Sequence, residues 1–333
     1  MQTDSCSRLP RFGARTMRLP GALLAPLLLL LCPPAPTSAA AASRAAQLRV
    51  GAFNIRSFGD NKVADPACGS FIAQILAEYD VTLVQEVRDP DLSAVSALLE
   101  EINSISEYNY SYVTSEPLGR DNYKEMYLFV YRTETLSVLD SYCYPDPEDV
   151  FSREPFIVKF SSPKTGGTSS THAAHTLPFH HSGLTPVYFC TAPTAVKEFV
   201  LVPLHSAPHN AVAEIDALYD VYLHVIDKWG TDDILFLGDF NADCNYVKQH
   251  DWANIRLRTS EIFKWLIPDN TDTTVGNSDC AYDRIVVCGS RLRKCIAPNS
   301  ATVNNFQESF GLDQTAALAI SDHFPVEVTL KTH

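Results

Sequence analysis

A chain of 333 residues with 46% apolar content is long enough for one large domain or two small ones, and too apolar for a disordered polymer. Its net charge of −13 speaks against a protein that holds nucleic acid tightly through a broad basic face. It leaves open an enzyme with transient contacts, in which a few Arg residues line one groove and metal cations offset phosphate charge.

Residues Leu19 to Cys32 form an apolar core preceded by Arg8, Arg11, Arg15 and Arg18 and followed by small residues at Ser38 to Ala42 and at Ala45-Ala46. This pattern predicts a secretory signal peptide, with 1–46 removed and the folded domain running over 47–333. A transmembrane anchor is the alternative. Pro26 interrupts the run and Pro33-Pro34 end it, which makes it short for a span. Met17 also offers a start with a conventional leader. The segment up to Ala46 holds five Arg and one Asp, so its removal leaves the remainder four charges more negative.

Taken in chain order, apolar runs alternate with helical stripes. Leu48–Phe53 reads as a strand ending at Asn54. Asp65-Pro66 reads as an N-cap and first helical residue, followed by a stripe of Phe71, Ile72, Ile75, Leu76 and Tyr79. Val81–Gln85 is a second strand, ending at Glu86. Asp89-Pro90 is expected to open a second helix with Leu92, Val95, Leu98, Leu99 and Ile102 facing inward. Strands are expected at Met126–Arg132 and Glu154–Phe160. A Pro-, Gly-, Ser- and Thr-rich stretch at 163–194 then reads as a surface insertion loop. Its His172, His175, His180 and His181 are read as solvated loop residues, with metal binding as the alternative. Strands follow at Phe199–His205, Asp233–Phe240, Arg284–Val287 and Phe324–Lys331, with a helix from Ala211 to Trp229. This is an α/β protein with mixed sheets and helices outside.

Polar residues recur where these strands emerge. Gly238-Asp239-Phe240-Asn241 follows Ile234–Leu237, His205 ends Phe199–Leu204, and Asp322-His323 precedes Phe324–Val328. Carboxylates and amides on a rigid base can hold a divalent metal or a phosphate, although Asp and Asn also simply favour turns. Phosphodiester hydrolysis needs a base for water and an acid for the leaving oxygen, and an imidazole held by a carboxylate does either job. His205 and His323 are the candidates, with Glu125 and Asp283 as partners; a lone His is otherwise a hydrogen-bonded structural residue, the class assigned to His209 and His224. Arg56, Arg88 and Arg153 lie near strand ends, where the guanidinium fork suits phosphate. Each would otherwise only salt-bridge to a neighbouring carboxylate.

Nine Cys are present, two of them in the leader (Cys6 and Cys32). Cys244 and Cys280 flank the loop region after the Gly-Asp-Phe-Asn strand and are the favoured disulfide pair. Cys68, Cys143, Cys190, Cys288 and Cys295 remain, an odd number, so a free thiol is expected.

The segments Leu48–Arg56, Val84–Asp89, Pro117–Glu125, Gly238–Cys244, Cys280–Ile285 and Ile320–His323 together resemble the deoxyribonuclease I family, over about Leu48 to Leu330 apart from the insertion. The resemblance implies an α/β/β/α four-layer sandwich of the endonuclease/exonuclease/phosphatase type. It also implies a monomeric endonuclease that cuts double-stranded DNA from the minor groove, with Mg²⁺ and Ca²⁺, leaving 5′-phosphate ends. Carried over, His205 with Glu125 and His323 with Asp283 are the acid–base pairs. Asn54, Glu86, Asp239, Asn241 and Asp322 hold metal or scissile phosphate, and Arg56, Arg88, Tyr123 and Arg153 contact DNA. Asp272, Thr274 and Ser278 match a structural calcium loop. Asp146, Asp149, Phe151 and Glu154 sit where the family has a second one, but this chain is shorter there and lacks the family's small C-x-x-C bridge. The Cys244–Cys280 bridge is implied as well. Actin binding is not carried over: Thr114 and Phe156 stand where actin-sensitive members carry smaller or more apolar residues, and a bulky Phe at a flat contact obstructs docking. Secretion is expected, with partial intracellular retention open, and no membrane attachment after leader cleavage. Two other functions compete. One is a phosphoesterase of the same fold acting on lipid or inositol phosphates, as sphingomyelinases do; the other is a non-catalytic binding module.

Overall fold

The computed structural model describes residues 47–120, 122–162 and 197–331. The expected leader and the insertion at 163–194, with its four His and Cys190, lie outside the described residues.

Two six-stranded mixed sheets pack face to face. The first has the order β11-β12-β1-β2-β4-β3, from β1 (Gln47–Phe58), β2 (Val81–Val87), β3 (Tyr110–Thr114), β4 (Met126–Arg132), β11 (Thr302–Val303) and β12 (Val326–Lys331). The second has the order β5-β6-β7-β8-β10-β9, from β5 (Ser137–Cys143), β6 (Phe156–Ser161), β7 (Glu198–Pro203), β8 (Ile234–Asp239), β9 (Lys264–Trp265) and β10 (Asp283–Val287). The inward faces close a core that includes Val50, Ala52, Leu83 and Phe129 from one sheet and Val158, Leu201, Leu235 and Ile285 from the other. The opposite faces of the same strands are apolar too. After the short helix α1 (Asp60–Val63), helices α2 (Pro66–Leu76) and α3 (Ser93–Ile105) cover Phe53, Val84 and Leu128 on the first sheet. Helix α4 (Ala211–Trp229) covers Val200, Val202, Ile234 and Phe236 on the second. Burial on both faces explains why these strands read as continuous apolar runs rather than alternating ones. The result is the expected α/β/β/α sandwich. Among the described residues no helix is long and apolar enough to cross a membrane.

Each sheet contains one parallel pair, β1 with β2 and β7 with β8. The helices carry the chain back across, so the C-terminal ends of all four strands open on one edge of the sandwich. Open α/β sheets bind ligands at such ends.

Local chemistry sets several boundaries. Asp65 caps α2 through Ala67 N and Cys68 N, as expected. The second helix differs: it starts at Ser93, not at Asp89-Pro90. Leu92 takes a left-handed φ of 60°, and the Asp89 carboxylate reaches forward to accept Val95 N at 2.8 Å. The Asp-Pro pair therefore makes a turn that caps the helix from a distance. Edge strands β3 and β5 escape sequence reading because their residues are largely half-exposed or exposed and lack an apolar run. Phe156 also departs from expectation. It is 6% exposed and packs on Phe129 between the sheets, so it offers little surface to any partner. Thr114 turns its hydroxyl to Tyr127 O at 3.0 Å.

Candidate active site

Asn54 ends the regular part of β1, and its pairing register with β2 breaks immediately afterwards. Its Nδ2 donates to Glu86 Oε1 and to Asp239 Oδ2, both at 3.1 Å, which ties the ends of three strands together. Glu86 has a φ of 59°, and its other oxygen accepts Ser57 N at 2.9 Å. A non-glycine residue held there costs backbone energy, a cost that concentrates at functional sites. At the end of β8, Gly238 has a φ of 125°, and a Cβ there would lie 2.5 Å from Leu204 O and 2.6 Å from the Gln85 amide. Only glycine lets the two sheets approach closely enough to bring Asp239 beside Asn54. Asp239 is then fixed from both sides: Oδ2 by Asn54, and Oδ1 by Asn241 N at 2.9 Å. Asn241 Nδ2 donates a hydrogen bond to Ser206 O at 3.0 Å.

Two imidazole–carboxylate pairs flank Asp239. His205 follows β7, and its Nδ1 lies 2.8 Å from Glu125 Oε2. His323 precedes β12, and its Nδ1 lies 2.7 Å from Asp283 Oδ2. Both Nε2 atoms turn to the same place, 3.6 and 3.7 Å from Asp239 Oδ2. The structure thus brings together Asn54, Glu86, Glu125, His205, Asp239, Asn241, Asp283 and His323 from both sheets. Asp322 stands at the rim, its side chain 42% exposed and 3.8 Å from Arg56.

The electrostatics follow from this packing. Burial works against ionisation of Glu125, but the His205 hydrogen bond and charge, with Arg153 beside it, hold the carboxyl down at about 2. Burial pushes the Asp283 carboxyl up, with His323 acting against it. For His323, burial opposes the charged form, yet Asp283 and Asp239 push the imidazole up to about 10.

The residues expected to contact DNA separate into two groups. Arg56, Arg88 and Tyr123 are exposed at the site edge, with the Arg88 guanidinium 4.5 Å from the Tyr123 ring centroid. Arg153 is turned inward, its side chain 13% exposed, and donates to His205 O from Nε at 3.1 Å and Nη2 at 2.9 Å. The expected calcium loop folds on itself: Asp272 Oδ1 accepts Thr274 N and Thr274 Oγ1, and Thr274 Oγ1 donates to Ser278 O at 2.9 Å. In the other candidate loop, Arg120 donates to Asp149 O and, at 3.3 Å, to Phe151 O, while Asp146 Oδ2 accepts Phe151 N. Its guanidinium already occupies oxygens there. Cys244 and Cys280 are joined in a disulfide across a sequence separation of 36. Cys68, Cys143 and Cys288 form none. His209 is exposed and His224 packs edge-on against Tyr144.

Sequence reasoning missed the scaffold under these groups. Gln85 lies between the sheets, accepting Asp239 N at 2.9 Å and donating to Leu204 O at 2.8 Å. Ser321 Oγ donates to Asn54 O and accepts His323 N. Tyr127 OH accepts His205 N at 2.9 Å. Glu214 is fully buried in the first turn of α4. The one available signal was a polar residue inside an otherwise apolar strand, as at Gln85.

Comparison with known proteins places this geometry. The endonuclease/exonuclease/phosphatase family model matches residues 51–323. Human deoxyribonuclease-1-like 2 is 72% identical over 292 residues, covering 88% of this chain and 95% of that one. Chicken (Gallus gallus) deoxyribonuclease-1 is 53% identical, covering 86% and 93%. Among solved structures, an endonuclease/exonuclease/phosphatase from Bacteroides vulgatus superposes with a TM-score of 0.54 at 18% identity, covering 86% and 99%. D. rerio TDP2 complexed with single strand DNA product gives 0.53 at 16%, with the same coverage.

Proposed function

This chain belongs to the endonuclease/exonuclease/phosphatase family, in its deoxyribonuclease branch, and we propose that it is a secreted, divalent-metal-dependent DNA endonuclease. The observation that carries this reading is the pair of carboxylate-held histidines whose Nε2 atoms converge beside Asp239 Oδ2. A phosphodiester seated there has one imidazole on each side. Water attacks phosphorus and the bond to O3′ breaks, which leaves the phosphate on the 5′ end. One imidazole takes the proton from water and the other gives one to the departing oxygen. Glu125 and Asp283 fix the tautomers, so that each Nε2 faces the reacting atoms.

The residues fit hard cations. Asn54 Oδ1, Asp283 Oδ1 and Asp322 Oδ1 are buried without a hydrogen-bond partner among the described residues. Ligand atoms of Glu86, Glu125 and His205, and those of Asp239, Asp283 and His323, lie within 4.8 Å of one another in each group. Asn54, Glu86, Asp239, Asn241 and Asp322 would hold Mg²⁺ or Ca²⁺ and the scissile phosphate, by the preference of these ions for oxygen. Such an ion supplies positive charge to the phosphoryl oxygens. Asp272, Thr274 and Ser278 offer a carboxylate, a hydroxyl and a carbonyl for a structural Ca²⁺. At the rim, Arg88 stacked on Tyr123 forms an exposed ledge suited to the backbone and minor groove of duplex DNA, with Arg56 on the other side. Secretion rests on the leader pattern alone, and a monomer is the working state.

Plasmid nicking with Mg²⁺ and Ca²⁺ tests the reading. His205→Ala and His323→Ala should each lose about 10²–10⁴-fold in rate. Near wild-type nicking by either folded variant would overturn the assignment. A wild-type protein that hydrolyses sphingomyelin and leaves plasmid intact would favour the lipid phosphoesterase.

A further inference from the structure

Arg153 is held where it touches the catalytic pair and not where it would meet a phosphate. Its Nε and Nη2 both donate to the carbonyl of His205, and its Nε lies 3.4 Å from Glu125 Oε2. His205 is therefore gripped at three points: Tyr127 OH takes its N–H, Arg153 takes its carbonyl, and Glu125 takes Nδ1. The same guanidinium sits over the carboxylate oxygen that orients the ring. An Arg used as a phosphate clamp presents its planar fork to solvent, as the exposed Arg56 and Arg88 can. This one is 13% exposed.

The segment carrying Arg153 has its own anchor. Glu214 is 0% exposed, and its Oε1 accepts Ser152 Oγ at 2.8 Å and Ala207 N at 3.1 Å. One carboxylate oxygen thus joins the residue before Arg153 to the residue two positions after His205. Asn210 adds a second tie, from Nδ2 to Val150 O at 3.0 Å. A buried carboxyl group with one oxygen so engaged and the other, Oε2, without a partner among the described residues is costly to keep unless position is the gain.

We propose that Arg153 is a positioning residue that acts through the Glu125–His205 pair, and that Glu214 is the buried anchor holding its segment against His205. The proposal rests on the nuclease reading for its kinetic test and on the geometry alone for its spectroscopic one. In plasmid nicking, Arg153→Lys keeps the charge and loses the two-point grip on the His205 carbonyl. It should lower kcat by about 10-fold or more with KM unchanged, since misplacing a catalytic group by about 1 Å is enough to cost 10²-fold. Arg153→Ala should lose more, and added guanidinium ion should restore part of it. Ser152→Ala, which cuts the tie to Glu214 without stranding a charge, should move kcat in the same direction by less.

Duplex binding across a salt series, in an otherwise inactive His323→Ala background, should give the same slope with Arg153 or Lys at this position, and with Ala as well. If Arg153→Ala flattens that slope by about 0.9 and raises KM at constant kcat, Arg153 is a phosphate contact and the proposal fails. The Nδ1–H proton resonance of His205 reads the same geometry without substrate. It should be resolved in the wild type and lost to exchange in Arg153→Ala; an unchanged resonance overturns the proposal even in a protein that cuts no DNA. Plasmid left intact by the wild type overturns the nuclease reading instead.

Discussion

Replacing Glu125 with Gln separates what this carboxylate does for folding from what it does for chemistry. The side chain is 4% exposed, hydrogen-bonded to His205 and beside Arg153. These contacts outweigh burial and depress its carboxyl from 4.5 to about 2. A depressed carboxylate stabilises the folded state fully above its unfolded value and loses that contribution as pH falls through the folded one. The window therefore lies between about 4.5 and about 2. At about 1.4 kcal/mol per unit, the shift corresponds to roughly 3 kcal/mol. Urea unfolding of chelator-treated protein, at neutral pH and again at about pH 2.5, measures it. Wild type should lose roughly 2.5 kcal/mol more than Glu125→Gln between the two conditions, most of the full shift, because the acid condition still lies above the folded value. At neutral pH the variant should also nick plasmid about 10²-fold more slowly, because a neutral amide holds the His205 tautomer less firmly. Equal acid losses in the two proteins would refute the view that Glu125 is held ionised by His205 and Arg153.

Removing the Cys244–Cys280 bridge frees a loop of 36 residues and should cost roughly 3–4 kcal/mol; unfolding of Cys244→Ser/Cys280→Ser against wild type reads the loss. Calcium, added with Mg²⁺ held constant, should raise the melting temperature through the loop of Asp272, Thr274 and Ser278. The expected gain is about 2.7 kcal/mol at a hundredfold excess over the dissociation constant, and Asp272→Ala should abolish it. Arg88→Ala should weaken duplex binding with little dependence on sequence and flatten the slope of log affinity against log salt by about 0.9. An unchanged slope would make Arg88 only the cationic partner of the Tyr123 ring.

The sequence by itself determined the layers. Strands buried on both faces must be apolar at successive residues, so Ile234–Leu237 and Val81–Val84 announce a sheet covered on both sides. Polar residues that interrupt such runs at their ends, like Asn54, Glu86 and Asp239, mark where the backbone emerges. Residue type and spacing also picked out His205 and His323, since the first stands two positions after β7 and the second three before β12. What the sequence left open is which groups meet, because pairing depends on how two sheets approach. Glu125 lies 80 residues from His205, and Asp283 lies 40 from His323. The close contact at Gly238, sealed by Gln85, brings the strand ends of the two sheets near enough for those pairs to meet. The same holds for Arg153. Its position near a strand end suits a phosphate contact, yet the anchoring of Ser152 by Glu214 turns the side chain inward. Phe156 shows the reverse case, an expected surface residue that the packing of the two sheets places in the core. Local pattern fixes which residues stand at strand ends; the direction each one faces is a property of the packed sheets.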